Sequence, residues 1–519
     1  MFTEEPGTAH REWAEKYGKG GVVRFRGFFG EDQIFFTDPA ALTHILVANS
    51  YEYPKPQAMR GELGRILGKG ILFAEGEDHR RQKKIMTPAF SPSALRDLTP
   101  IFFELSYKLR DAWMGLIETD TLDPRAFSNQ AAIEAFKESR KEEGQVVLEV
   151  MKWMSRYTLD VIGRAGFSYN FDALNRKENL LGDAFSGVFT SSVSLPTASG
   201  LLAQRLLSTI VARFPNLLSY IPNDRIQAFN KAFATMDSES RKIIDIKRRE
   251  FEESGEGGGK DLLSLMLKAN ASGDVKVKMS DVELQGQMTT FMLAGHETTS
   301  VALTWTLWKL AKYPVVQEKL RKEIRKARSN AKEEGREELE SDELNSLDYL
   351  DAVCREILRT ESPVSATIRS STNDDMIPLS APIIGRSGRT ITVIPIKAGE
   401  TVFMGINAPN FNKKVFGEDA DDFRPERWIE GHVGEKQAGV GVYSHLLTFL
   451  AGPRHCIGYK FSLLEMKAAL SVLVDTFEFD EREPNLPIGH RFAFVQSPVV
   501  VGEEDAMGFA MPLRVKLAQ

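Results

Sequence analysis

Between about residues 77 and 362, apolar side chains recur at three- and four-residue spacing, the pattern of helices with one buried face. VLEVMKWMSRYTLDVIGRAGF, from Val147 to Phe167, shows it most clearly. Strands are expected only outside this run. GVVRFRGF and DQIFFTD lie near the N-terminus, ahead of PAALTHILVAN, where a proline opens a short helix. IIGRSGRTITVIPIKAGETVFMGI supplies glycine-punctuated strands between Pro363 and Ile406, and SPVVVGEE and MPLRVKL supply the last ones. Helices and strands segregate rather than alternate. This predicts a mainly α protein with smaller β-sheets (α+β), not a doubly wound parallel sheet. One unit spanning 1–519 is expected. Its β-rich portion falls at about 21–75 and 364–406, its helix-rich portion at about 77–362 and 430–475, and a C-terminal loop with strands at 476–519. KESRKEEGQ, EESGEGGGKD and RKARSNAKEEGREELESDE read as exposed loops or solvated helix faces, and about Asn129 to Gln145 reads as an insertion.

A net charge of −6 gives no global attraction to nucleic acid. The two cysteines, Cys354 and Cys456, cannot build a disulfide framework, which points to a reducing compartment where the sequon at Asn270 stays unused. No apolar run reaches the ~18 residues of a membrane span, and the N-terminal segment has neither signal nor transit pattern. As it stands, the chain is expected to be soluble.

Cys354, inside LDAVCREILR, reads as a small buried hydrophobe. Cys456 does not. Gly452 and Pro453 force a loop before it, Arg454 and His455 flank it, and Gly458 permits a tight turn or close approach. A helix follows with Phe461, Leu464 and Ala468 on one face. Helix N–H groups and nearby cations favour a thiolate, a strong metal ligand. No second ligand stands at zinc spacing. A single thiolate suits iron whose other positions a porphyrin fills. Phe449, Gly452, Arg454, Cys456 and Gly458 complete F-x-x-G-x-R-x-C-x-G, which resembles the haem-binding loop of the cytochrome P-450 family.

Three further segments carry the resemblance in order. FMLAGHETTS contains Ala294, Gly295, Glu297 and Thr298, similar to the family's A-G-x-(D/E)-T on the helix crossing the oxygen-binding face of the haem. Gly295 would leave room for a small ligand, and the acid and alcohol would manage protons. Glu356 and Arg359, with Arg427 of FRPERW, resemble the family's buried E-x-x-R and arginine triad; Trp428 replaces the usual phenylalanine, a change read as minor. His79 and Lys83, four apart, occupy the W-x-x-x-R positions that bind haem propionates in the family, with Arg454 and Arg369 as further candidates.

The resemblance, closest to fungal microsomal-type members, implies a haem b monooxygenase inserting one oxygen atom of O2 into a lipophilic substrate. It implies electrons from a separate NADPH-cytochrome P-450 reductase, with cytochrome b5 as a possible second donor, since no flavin or nicotinamide fingerprint is present. Arg454, Lys460 and HRRQKK would form a docking patch for an acidic partner. Family members sit on the endoplasmic reticulum membrane facing the cytosol, and this chain starts where their anchor would end. The expected apolar pocket draws on AMRGELGRILGKGI, SGVFTSSVSLPTASGLL, Phe291, Val364 to Thr367 and HRFAFVQ. A peroxide-using or rearranging enzyme of the same fold, and a non-catalytic haem protein, remain the alternatives; Glu297 and Thr298 count against both.

Overall fold

The computed structural model describes residues 8–519 except 19, 28–29, 31, 140–143, 176–223, 255–260, 272–277, 386, 432, 434–439 and 493. The Asp281–Lys312 helix organises the fold. Ser280 opens it: its hydroxyl accepts from the Glu283 N–H while the Glu283 carboxylate accepts from the Ser280 N–H. Side chains all around this helix are buried, so it runs through the interior. The Val150–Val161 helix packs along it and continues into a π-turn, Ile162–Gly166. Thr158 Oγ1 donates to the His296 carbonyl at 3.1 Å across this contact. The Tyr459–Thr476 helix meets it on another side, where Thr299 and Ser462 hydroxyls lie 3.0 Å apart.

The two distant β segments do come together. β1 (Val22–Arg26), β2 (Asp32–Phe36), β7 (Thr401–Gly405) and β4 (Ala366–Ser370) form one sheet in that order. β2 and β7 run parallel, with Ile34 opposite Val402, while the outer pairs are antiparallel. Phe35, Phe36, Val402 and Met404 are fully buried in it. β5 (Asp375–Ile384) pairs with β6 (Thr390–Ile396), and β9 (Ile488–Phe492) with β10 (Gln496–Val500). β3 (Gln145–Glu149), β11 (Pro512–Leu517) and β8 (Phe477–Glu481) complete the described sheets.

Local detail departs from expectation in three places. Val147 to Glu149 are strand, not helix: every residue of β3 is buried, and such an apolar run has no periodicity to separate it from the helix that follows. Glu149 makes the junction, its carboxylate accepting from Met151 N and Lys152 N at 3.2 and 2.8 Å. The supposed insertion contains a helix, Gln130–Ser139, and ends at β3. Between the 3-10 turn Pro425–Trp428 and Tyr459 the described chain is turns, short bridges and 3-10 segments, so the last long helix starts only at Tyr459. Asn270 of the sequon is engaged within the protein, donating to Met279 O at 2.9 Å and accepting from Met279 N at 2.7 Å. Among the described residues, no helix is long and apolar enough to cross a membrane.

Candidate active site

The cysteine loop is shaped by one glycine that tolerates no substitute. Gly452 has φ +63°, and a Cβ there would come within 2.1 Å of the Leu46 carbonyl oxygen. The loop therefore lies directly against the π-turn His44–Ala48. Cys456 N donates back to Phe449 O at 2.9 Å, closing the loop around the buried Phe449 ring. Gly458 differs: its Cβ would meet only Phe90, at an ordinary 3.6 Å, so no protein neighbour demands a glycine there. Phe90 joins this loop to the central helix, its ring 6.0 Å from Phe291 and 6.4 Å from Phe461.

Cys456 is exposed, yet its surroundings are dense enough for desolvation to dominate its thiol. Burial raises its thiol pKa, opposed by the Gly458 N–H and the Lys83 charge. Metal binding at a protonated sulfur would release a proton. Cys354 is fully buried, with its pKa raised to about 12 by burial.

On the central helix Ala294, Gly295 and Thr298 are part-exposed while Phe291 to Leu293, His296, Glu297 and Thr299 to Leu307 are buried. One face thus opens in an otherwise buried stretch, and positions 294 and 298 share it. Thr298 Oγ1 donates to Ala294 O at 2.7 Å, leaving oxygen lone pairs for the opening. Glu297 is buried, which raises its pKa to about 7. Gly295 does something other than expected. A Cβ there would lie 3.1 Å from Ile162 Cδ1, so the missing side chain lets the π-turn approach the central helix.

The cations converge, but with different duties. Arg369 on β4 is buried, its Nη1 donating to Thr367 Oγ1 and Ile368 O, both at 2.7 Å; burial and the Arg454 charge lower its pKa to about 10. Arg454 donates through Nε to Ser50 O at 3.2 Å, pairs with Glu75, and lies 4.9 Å over the Tyr51 ring. Lys55, which no motif flagged, donates to Glu75 Oε1 at 2.8 Å; burial, with the Arg369 and Arg454 charges, lowers its pKa to about 8 despite that partner. His79 is buried against Tyr51 Oη, 3.2 Å from Nδ1; burial and the Arg454, Lys55 and Lys83 charges lower its pKa to about 3, so it is neutral. Lys83 is committed to the loop itself, donating to Pro453 O at 2.7 Å and approaching His455 O at 3.4 Å. It clamps the Gly76–Met86 helix to the cysteine loop instead of standing free for an anion.

Lys55, Arg369 and Arg454 thus surround a single carboxylate, Glu75. Buried like charges repel unless further anions balance them. A group with two carboxylates on its edge and a metal at its centre fits these residues, the cations suiting its carboxylates and Cys456 its metal.

Behind the loop lies the most completely satisfied charge cluster. Glu356, Arg359 and Arg427 are fully buried. Arg359 donates to both Glu356 oxygens at 2.9 and 2.8 Å, and to the carbonyls of Asn410, Ala420 and Asp422. Arg427 Nε donates to Glu356 Oε1 at 3.0 Å and its other nitrogens bond Phe416 O, Asp419 and Asp422 O. Trp428 Nε1 also donates to Glu356, at 2.9 Å. The replacement of phenylalanine is therefore not minor, since it adds a donor to a buried carboxylate. Asn410 carries the support forward, its Nδ2 donating to Thr448 Oγ1 at 3.1 Å just before Phe449.

Of the pocket segments, SGVFTSSVSLPTASGLL lies outside the described residues. Gly70 of AMRGELGRILGKGI is pressed on the central helix, where a Cβ would meet Gly286 O at 2.5 Å. Gln496 N donates to Pro363 O at 2.8 Å, setting the end of HRFAFVQ beside Val364.

The family model for Cytochrome P450 matches residues 2–501. The chain is 37% identical over 527 residues to "Cytochrome P450 monooxygenase 205" of Postia placenta, covering 99% of this chain and 89% of that protein. It is 38% identical over 479 residues to "Cytochrome P450 monooxygenase 91" of the same fungus, covering 90% and 82%. Against "Cytochrome P450 monooxygenase claW" of Ampulloclitocybe clavipes the identity is 36% over 521 residues, covering 99% and 88%. With an exposed free cysteine in its glycine-shaped loop and a match along nearly its whole length, this chain belongs to the cytochrome P450 family and is a haem b monooxygenase.

Proposed function

We propose that the chain, acting as one catalytic unit over 1–519, oxygenates a lipophilic small molecule with electrons from a separate NADPH-dependent flavoprotein reductase. Cys456, exposed in dense surroundings, together with the part-open Ala294–Thr298 face carries this reading. Haem, when bound, would supply the activation of O2, one oxygen atom entering the substrate and the other leaving as water at the expense of two electrons and two protons. Cys456 would hold the metal, and Phe449, Gly452 and Gly458 shape the loop that presents it. Arg369 and Arg454 would hold the cofactor carboxylates, with His79 as a neutral donor, Lys55 as an added cation and Lys83 as the clamp on the loop.

Glu297, with a pKa of about 7, can both give and regain a proton near neutrality. Thr298 Oγ1, its own hydrogen on Ala294 O, accepts a hydrogen bond at the opening and so retains a water or hydroxyl beside it. Buried apolar residues such as Phe291 limit solvent there.

Lys84 and Lys460 are exposed, and suit an acidic partner surface such as a reductase or cytochrome b5. The cytosolic face of the endoplasmic reticulum is the location we propose, by family. Reconstitution with a flavoprotein reductase and a panel of fatty acids, terpenoids, steroids and aromatic compounds tests the reading. Product should require NADPH, reductase and O2 together. Product from hydrogen peroxide alone, with none from the reductase system, would favour the peroxide-using alternative.

A further inference from the structure

His296 follows the open face of the central helix but turns away from it, and is fully buried. Its Nε2 lies 2.7 Å from Ser155 Oγ on the Val150–Val161 helix, and its Nδ1 lies 3.6 Å from Glu297 Oε1. We propose that Ser155 and His296 are positioning residues for the Glu297 carboxyl, holding one of its oxygens toward the Val150–Val161 helix and leaving the other for the Thr298 side. The inference rests on the role given to Glu297 above.

Burial lowers the His296 pKa to about 3, so the ring is neutral and one nitrogen donates while the other accepts. With the Ser155 hydroxyl donating to Nε2, the ring hydrogen sits on Nδ1 and faces Glu297. At 3.6 Å the Nδ1–Oε1 contact is electrostatic and becomes a hydrogen bond only if the carboxyl approaches further. In the opposite tautomer Nδ1 presents a lone pair, which only a protonated Glu297 could meet favourably. Either way, the state of the carboxyl is tied to the ring.

The spacing between the helices is held by other contacts besides this pair. Thr158 Oγ1 donates to the His296 carbonyl, and the missing side chain of Gly295 admits Ile162. Ser155 is thereby brought within reach of a histidine that the central helix would otherwise direct into apolar packing. An acid with a fixed orientation offers its proton in one direction, which a freely rotating buried carboxyl does not.

The test is infrared difference spectroscopy of the ferric holoenzyme at a pH around 5, where Glu297 is protonated. Glu297→Gln identifies the carboxyl band by removing it. Ser155→Ala, with parental haem content, should move that band to higher frequency, the direction for a carboxyl that has lost a hydrogen-bond partner, and Ser155→Thr should restore it. With reductase, NADPH and 7-ethoxycoumarin as probe, hydrogen peroxide released per NADPH should rise about threefold in Ser155→Ala and return in Ser155→Thr. An unmoved band in Ser155→Ala overturns the inference, whatever the peroxide yield. If Glu297→Gln removes no carboxyl band, Glu297 is not a protonated acid there, and the reading of the site fails before the inference does.

Discussion

Trp428→Phe isolates the indole donor on Glu356. Glu356 is wholly buried and accepts five hydrogen bonds, from Arg359 Nε and Nη2, Arg427 Nε, Trp428 Nε1 and the Arg424 N–H, at 2.8 to 3.0 Å. A hydrogen bond to a charged group contributes a net ~1.5–3 kcal/mol. Phenylalanine keeps the ring near Phe416, now 5.9 Å from Trp428, and leaves no unpaired N–H of its own. Oε2 retains Arg359 Nε, so the lower end, ~1.5–2 kcal/mol, is expected. The measurement is urea unfolding of the holoenzyme followed by circular dichroism and by loss of the thiolate band of the reduced carbon monoxide complex. Trp308→Phe is the control: that indole N–H is buried with no hydrogen-bond partner among the described residues. Trp428→Phe should unfold at clearly lower urea than Trp308→Phe, with the slope unchanged. Equal midpoints in the two variants would refute the assignment of the indole N–H as a support of the cluster.

Cys456→Ser should abolish the thiolate-type carbon monoxide band, whereas Cys354→Ser, altering a fully buried thiol away from the loop, should retain it; an unchanged band in the first removes Cys456 as the ligand. Gly452→Ala should give little haem-loaded protein, because a Cβ would stand 2.1 Å from Leu46 O on a backbone at φ +63°, and parental haem content would contradict that. Thr298→Ala should keep haem and substrate binding while lowering product per NADPH and raising peroxide; a parental ratio would assign retention of the proton donor elsewhere. Burial raises the Glu297 pKa from 4.5 to about 7, so the folded chain keeps a proton that the unfolded chain releases, and this group's contribution falls as pH rises through that window. Glu297→Gln should therefore gain stability relative to the parent between those values, by at most about 3 kcal/mol, and a pH-independent offset in denaturation midpoints would refute the cause.

The parts of the site that read well from sequence are those held by fixed local spacing. Cys456 with its glycines, Glu356 with Arg359, and Glu297 with Thr298 each announce themselves within a few residues. Lys55 and Glu75 do not, being twenty positions apart in segments without a motif and joined only by tertiary packing. Glu75 precedes a helix, yet its side chain makes no cap and is engaged by Lys55 and Arg454 instead. Gly295 was legible as a glycine with a purpose, but which neighbour approached it depended on Ile162, more than a hundred residues away. Lys83 shows the same limit: spacing put it on the right helix, and only the fold shows its ammonium bonded to the Pro453 carbonyl. The strand at Val147 was hidden because burial on both faces erases alternation.

Glu149 has a consequence for the order in which this protein can be made. Its carboxylate caps the helix that braces the central one, and it also accepts from Met511 N at 2.8 Å, while β3 pairs along its length with β11. Glu149 and β3 are thus closed by residues synthesised at least 362 positions later. Until β11 arrives, β3 has no strand partner and Glu149 only the N–H groups of its own helix, so the nascent chain presents unpaired strand backbone over that span. Removing β11 should leave a chain that chaperones hold and proteases clear, even though every residue proposed to touch the cofactor would still be present.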